Sequence, residues 1–285
     1  MGAAFVITLR EGIEAALIVS ILLAYLRQLG RQDLSRLVWW GTAFAALVSF
    51  GVGTVIFVAG AEFEGRAEEI FGGLATLTAV AVLTWMIFWM RRQGARIRTE
   101  LHEKVNVALV AGGTALALLA FVAVLREGIE TALFLFAAAE GTAVASGSVT
   151  SQLVGAFIGM ALAIVLAVML YRGAIHMNLR SFFRLTGLVL IVVAAGLFAA
   201  GIHELQEAGW FPLLEGTAFD ISATLPDGTG LGAILRGLVG YSASPTALEV
   251  IAWLGYLLVV GGLYLRPVEH VTSTQHVIAN GSTKR

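Results

Sequence analysis

Seven stretches of this chain are apolar and long enough to cross the hydrocarbon core of a bilayer: residues 3–26, 37–60, 70–90, 105–139, 153–171, 185–204 and 247–265. A helix rises about 1.5 Å per residue, so one crossing takes roughly 20 residues. The fourth stretch exceeds one perpendicular crossing and reads as a single tilted or protruding helix. With 58% hydrophobic and 13% charged residues, the chain lacks the polar exterior of a soluble domain, which is about 45–50% apolar and about 25% charged. These features predict an all-α polytopic membrane protein. No basic patch sits on a soluble domain, so nucleic-acid binding has no support. Cysteine is absent, which removes disulfides, thiolate ligands and thiol nucleophiles. The N-terminus lacks a basic leader before its apolar run and reads as a retained first span.

Lys and Arg in the short connections set the orientation. Arg27, Arg31 and Arg36 follow the first span, and Arg91, Arg92, Arg96, Arg98 and Lys104 follow the third. Arg172, Arg180 and Arg184 follow the fifth, and Arg266, Lys284 and Arg285 the seventh. The opposite connections hold only Arg66 and Arg236 and are otherwise acidic. The basic side is expected in the cytoplasm, with the N-terminus outside, the C-terminus inside and a polar, disordered tail over 266–285. Within the long sixth connection, residues 231–241 are too short to span and are expected to lie at the interface or to re-enter.

The string LREGIEAAL at 9–17 recurs as LREGIETAL at 125–133, with a single substitution. Three spans separate the copies, so the halves run in opposite directions through the membrane. The expected plan is a 3+3 inverted repeat, about 1–104 and about 105–209, plus an extra helix at about 246–265, all within a seven-helix transmembrane domain at 1–265. Inverted repeats place transporter sites near the midplane, where the halves meet.

In each copy one arginine and two glutamates share one face of a helix: Arg10, Glu11 and Glu14, then Arg126, Glu127 and Glu130. A charge at mid-bilayer costs at least ~2.5–3.5 kcal/mol, so these side chains should face the bundle interior. Gly12 and Gly128 remove bulk beside the charges and are expected to let the two motif helices approach. An Arg–Glu pair alone can be a packing salt bridge, but the second glutamate in each copy exceeds what pairing needs. Four carboxylates facing two guanidiniums leave a formal charge of −2, a place for a cation. Oxygen donors without thiolates suit hard or borderline metals.

REGIE on the first and fourth of seven spans resembles the R-E-[GA]-x-E signature of the oxidase-dependent iron transporter family, which includes the fungal high-affinity iron permeases and the bacterial EfeU-type iron permeases. The short chain is more similar to the bacterial branch. The resemblance implies an iron permease of the plasma membrane, the bacterial inner membrane by preference, carrying Fe(III) or Fe(II) inward. It implies that Glu11, Glu14, Glu127 and Glu130 bind the iron, with Arg10 and Arg126 in support. Iron is then cargo, with no permanent cofactor. An extracytoplasmic ferroxidase or iron-donor protein is the implied partner, and any redox step belongs to that partner.

Two further groups read as an outer mouth or relay. Glu62, Glu64, Glu68 and Glu69 form an acidic connection before the third span, similar to one in the family, although Ile70 and Phe71 stand where members often read E-G after the last glutamate. In GIHELQEAG, His203 and Glu207 are four apart, with Glu204 beside them. As a metalloprotease motif this fails, because the second histidine is missing. Glu249 reads as interfacial, and Gly155 and Gly159 as a packing face. The competing readings are a carboxylate-lined carrier of manganese or magnesium, a proton-coupled exchanger, an intramembrane enzyme and a non-transporting scaffold. No nucleophile–base constellation supports the enzyme.

Overall fold

The computed structural model describes residues 1–61, 65–93, 97–140, 148–171, 179–210, 212–228 and 230–266. The described residues are mostly helical, with no strand among them. In order the helices are α1 (Gly2–Gln28), α2 (Ser35–Ala61), α3 (Arg66–Gln93), α4 (Ile97–Ala111), α5 (Gly113–Glu140), α6 (Ser148–Tyr171), α7 (Leu179–Glu207), α8 (Gly230–Val239) and α9 (Ala247–Leu265). A π-helical turn at Leu257–Gly261 interrupts α9. Five helices (α2, α3, α6, α7 and α9) are long and apolar enough to cross a membrane. The 27-residue α1 and 28-residue α5 match them in length, but each carries an arginine and two glutamates near its middle.

The apolar stretch at 105–139 is not one helix. It breaks at Gly112, whose φ of +111° suits a residue without a Cβ. The Gly112 N–H still donates to Ala108 O at 3.0 Å, which closes α4 before α5 begins. Leu101, Val105 and Ala108 of α4 join Leu22, Leu26, Val38 and Leu116 in one apolar cluster. The Tyr25 ring stacks on His102 with centroids 4.0 Å apart. The break leaves Arg126–Glu130 near the middle of α5.

Three helix pairs dominate the packing: α1 with α6, α2 with α5, and α3 with α7. Small residues set the first two. A Cβ on Gly159 would stand 2.5 Å from Phe5 O of α1, and one on Gly41 would stand 2.2 Å from Ala117 O of α5. Such contacts bring backbones close where apolar burial cannot drive helices together. Gly155, against Met1 O, and Gly159 form the expected packing face. Gly12 and Gly128 do not face each other: Gly12 lies against Ala163 and Met160 of α6, Gly128 against Ser49 of α2. The bulk they omit admits the flanking helices, and α1 meets α5 along a different face.

Away from these seams the surface is apolar. Phe44, Leu47 and Phe50 line the outside of α2, and Leu153, Phe157 and Ile164 that of α6, with Phe50 80% exposed. A continuous apolar exterior of this kind is a surface built for hydrocarbon.

The segment between α7 and α9 folds back into the bundle. Gly240 has a φ of +68°, and its Cα would stand 2.6 Å from a Cβ on Gly196. Gly196 lies roughly 16 Å from the end of α7, at 1.5 Å per residue, so the C-terminal end of α8 penetrates among its neighbours. Trp253 Nε1 of α9 donates to Val239 O at 2.8 Å, and Leu238 packs on Gly2 of α1. Asp227 braces the return by accepting from Ala243 N at 2.7 Å and Arg236 Nη1 at 3.2 Å. Within 231–241, the far end packs on α1, α7 and α9, while Leu231, Ile234 and Gly240 stay exposed. The tail beyond Arg266 lies outside the described residues.

Replacing Gly196 by Val should expel α8, since the added carbons meet the Gly240 backbone rather than a movable side chain. Overpacking of this kind costs about 1–3 kcal/mol. A lower thermal midpoint in detergent and faster proteolysis within 208–246 are expected.

Candidate metal centre

Arg10 sits one-third of the way along α1, and helical spacing puts Glu14 one turn beyond it. Its guanidinium bridges both glutamates of its own motif: Nη1 lies 2.8 Å from Glu11 Oε1, and Nη2 lies 2.9 Å from Glu14 Oε1. Nη1 also donates to Met86 Sδ of α3 at 3.4 Å. Arg10, Glu11 and Glu14 are all buried, Arg10 to within 2% of full burial.

The second copy is arranged differently. Arg126 donates to Glu127 Oε1 from Nη2 at 2.6 Å and from Nε at 3.0 Å, and Nε lies 3.6 Å from Glu130 Oε1. Its side chain is 46% exposed and lies over the Trp89 ring, 5.0 Å from the centroid. Glu127 is buried and Glu130 partly so. The copies match in sequence, but only Arg10 is enclosed. The Trp89 face gives Arg126 a cation–π contact instead.

Where α1 meets α5, Glu11, Glu14 and Glu127 converge: one carboxylate oxygen from each lies within 4.8 Å of the others. Oxygen ligands of a hard divalent cation stand about 2.0–2.6 Å from it, so small side-chain rotations would close this trio around an ion. Glu130 stands apart from the trio, held by Arg126. Glu11 Oε2, Glu127 Oε2 and Glu130 Oε2 are buried with no hydrogen-bond partner among the described residues. Buried polar atoms in native proteins are satisfied almost without exception. Two of these orphaned oxygens belong to carboxylates of the trio, and a bound cation would satisfy them.

The remaining sequence candidates lie at the end of the bundle where α7 finishes and α3 and α9 begin. Glu68 is exposed and Glu69 half-buried in the first turn of α3; Glu62 and Glu64 lie outside the described residues. His203, Glu204 and Glu207 occupy the last turns of α7. Their neighbourhood includes Glu249, which sequence reasoning assigned to the interface: its Oε1 lies 2.6 Å from His203 Nδ1. The sequence does mark Glu249 locally, because Thr246 N-caps α9 and accepts from Glu249 N at 3.2 Å, a cap whose T-x-x-E spelling is legible. Nothing local connects it to His203. Met86 was likewise invisible, being 76 residues from the arginine it touches.

The site defines a helical membrane protein in which two helices with the same motif bring three carboxylates together. Residues 1–269 match the Iron permease FTR1 family, and the chain belongs to that family. It is 39% identical over 257 residues to the ferrous iron permease EfeU of Escherichia coli O6:K15:H31 (strain 536), covering 89% of this chain and 91% of that one. The ferrous iron permease EfeU of Yersinia pestis is 36% identical over 266 residues, covering 92% and 93%. An EfeU of Escherichia coli K12, named inactive, is 39% identical over 257 residues, with 89% and 91% covered. These relatives are named as permeases, that is transporters and not enzymes. No solved structure matches the chain.

The unequal arginines give a test of the electrostatics. Arg10→Met strands two buried carboxylates, and breaking a buried pair from one side costs about 3–5 kcal/mol. Arg126→Met removes a half-exposed partner and should cost far less. Thermal unfolding of both variants in detergent, without added metal, is expected to show the larger loss for Arg10→Met.

Proposed function

We propose that the protein is an iron permease that carries Fe(II) or Fe(III) inward across the plasma membrane, in a bacterium the inner membrane. The observation that carries this reading is the convergence of Glu11, Glu14 and Glu127 from two helices with the same motif, in a chain of the iron permease family. In this reading α1 and α5 cross the membrane with the five apolar helices, giving seven spans with the N-terminus outside and the C-terminus inside. The two motif-bearing halves form an inverted repeat. The reciprocal seams, α1 on α6 and α5 on α2, support it, since a two-fold relation between the halves exchanges one seam for the other.

The cation sheds part of its water shell at the trio and takes carboxylate oxygens in exchange. Glu130 completes the set by leaving Arg126. Arg10 supplies counter-charge while the trio holds no cation, and it keeps the net charge low enough for a bound cation to leave. Glu62, Glu64, Glu68 and Glu69, together with His203, Glu204 and Glu207, gather cations at the outer mouth. An extracytoplasmic ferroxidase or iron-donor protein delivers the metal there, and no resident cofactor takes part. Oxygen donors also suit manganese and magnesium, so a carrier for those ions, or a proton-coupled exchanger, is the competing reading.

Uptake of radiolabelled iron into liposomes holding the purified protein tests the site. Glu11→Gln, Glu14→Gln, Glu127→Gln and Glu130→Gln should each lose at least about tenfold in rate, as loss of one charged ligand worth about 1.4 kcal/mol or more requires, while eluting as folded protein. Wild-type rates from all four would sink the proposed site. Manganese or magnesium outcompeting iron would favour the competing reading.

A further inference from the structure

We infer that His203 and Glu207 form a second cation site, at the α7 end of the bundle, with Glu249 of α9 as the carboxylate that orients the imidazole. Its role as a loading station rests on the permeation reading above, but its capacity to hold a metal does not. A nitrogen and a carboxylate oxygen 2.6 Å apart, as His203 Nδ1 and Glu249 Oε1 are, require a proton between them, because two bare lone pairs would repel. With the ring proton on Nδ1, the imidazole pairs with Glu249 through that nitrogen. In the neutral ring this leaves the Nε2 lone pair free, which is the arrangement in which a second carboxylate fixes the tautomer of a metal-binding histidine.

Nε2 faces Glu207 Oε1 at 3.5 Å, one helical turn along α7. Two ligands at about 2.1 Å from one cation, at tetrahedral to octahedral angles, stand roughly 3.0–3.4 Å apart. The pair is therefore spaced to bracket an ion with little movement. Glu249 is held in place by its own helix: Thr246 caps α9 through Glu249 N, and Thr246 Oγ1 donates to Gln206 Oε1 of α7 at 3.1 Å. The side chains form a gradient of exposure from Glu249 (12%) through His203 (33%) to Glu207 (52%). The orienting carboxylate is thus buried, while the ligating face opens to solvent. An imidazole beside a carboxylate favours Fe(II) and Zn(II) over Mg(II) and Ca(II), and Mn(II), a hard ion that takes the carboxylate, serves as the paramagnetic probe. Two protein ligands leave the other positions to water, as suits an ion that must move on.

Pulsed electron paramagnetic resonance on the purified protein titrated with Mn(II) tests this. Wild type is expected to show nitrogen modulation from a coordinated imidazole, still present in Glu127→Gln, where the central site is damaged. His203→Gln and His203→Ala should lose the modulation while eluting as folded protein, and Glu207→Gln should weaken Mn(II) binding at this site. Glu249→Gln should keep the modulation but lower the affinity about 10–100-fold. Absence of nitrogen modulation in wild type, or its persistence in both His203 variants, would overturn the site. Unchanged affinity in Glu249→Gln would overturn the role given to that residue. A protein that failed the iron-uptake test yet passed this one would retain the second site without the permeation reading.

Discussion

The buried guanidinium of Arg10 is the constraint on which the rest of the arrangement depends. Arg10, Glu11 and Glu14 sit on a helix that is otherwise mostly apolar, and each of the three charges is costly in hydrocarbon. Pairing within the motif offsets part of the cost, but desolvation of both partners remains. The helix carrying them must therefore be surrounded. In the structure α6 covers one side of α1 through Gly155 and Gly159, while α3 supplies Met86 on another. The lipid-facing work falls to α2 and α6, whose outer faces carry the exposed aromatic and aliphatic side chains.

The same constraint acts more weakly on α5, and the difference is instructive. Arg126 answers its half-exposure with the face of Trp89 and a two-nitrogen contact to Glu127. That contact leaves Glu127 buried and turned toward α1, where it joins Glu11 and Glu14. A symmetric pair of motifs thus yields an asymmetric site, three carboxylates together and the fourth reserved on its arginine. In the proposed permeation, such a site suits a transient cation better than a closed cage, because a ligand that can join or leave lowers the barrier to release.

α8 and the cap of α9 join the extra helix to this core. Gly196 and Gly240 allow backbone-to-backbone contact between α7 and the end of α8, and Trp253 holds that end to α9. Their consequence for chemistry is indirect but definite: they fix where α9 begins, and therefore where Glu249 meets His203.

Much of this was legible from residue order, and the limits have physical causes. Apolar length gave the helices, because a bilayer demands about 20 residues regardless of what packs beside them. It gave the wrong account of 105–139, since hydropathy cannot see that Gly112 adopts a positive φ. The duplicated REGIE motif named the charged residues of the central cluster, because helical spacing alone puts them on one face. Sequence could not decide that Gly12 and Gly128 admit α6 and α2 instead of each other. Nor could it decide that Glu130 stays with Arg126, or that Glu249 reaches a histidine on another helix. Apart from the local Arg126–Glu130 pair, each of those outcomes is a distance between segments far apart in the chain. Local spacing determines which side chains share a helix face; only the packing of one helix against another determines which faces meet.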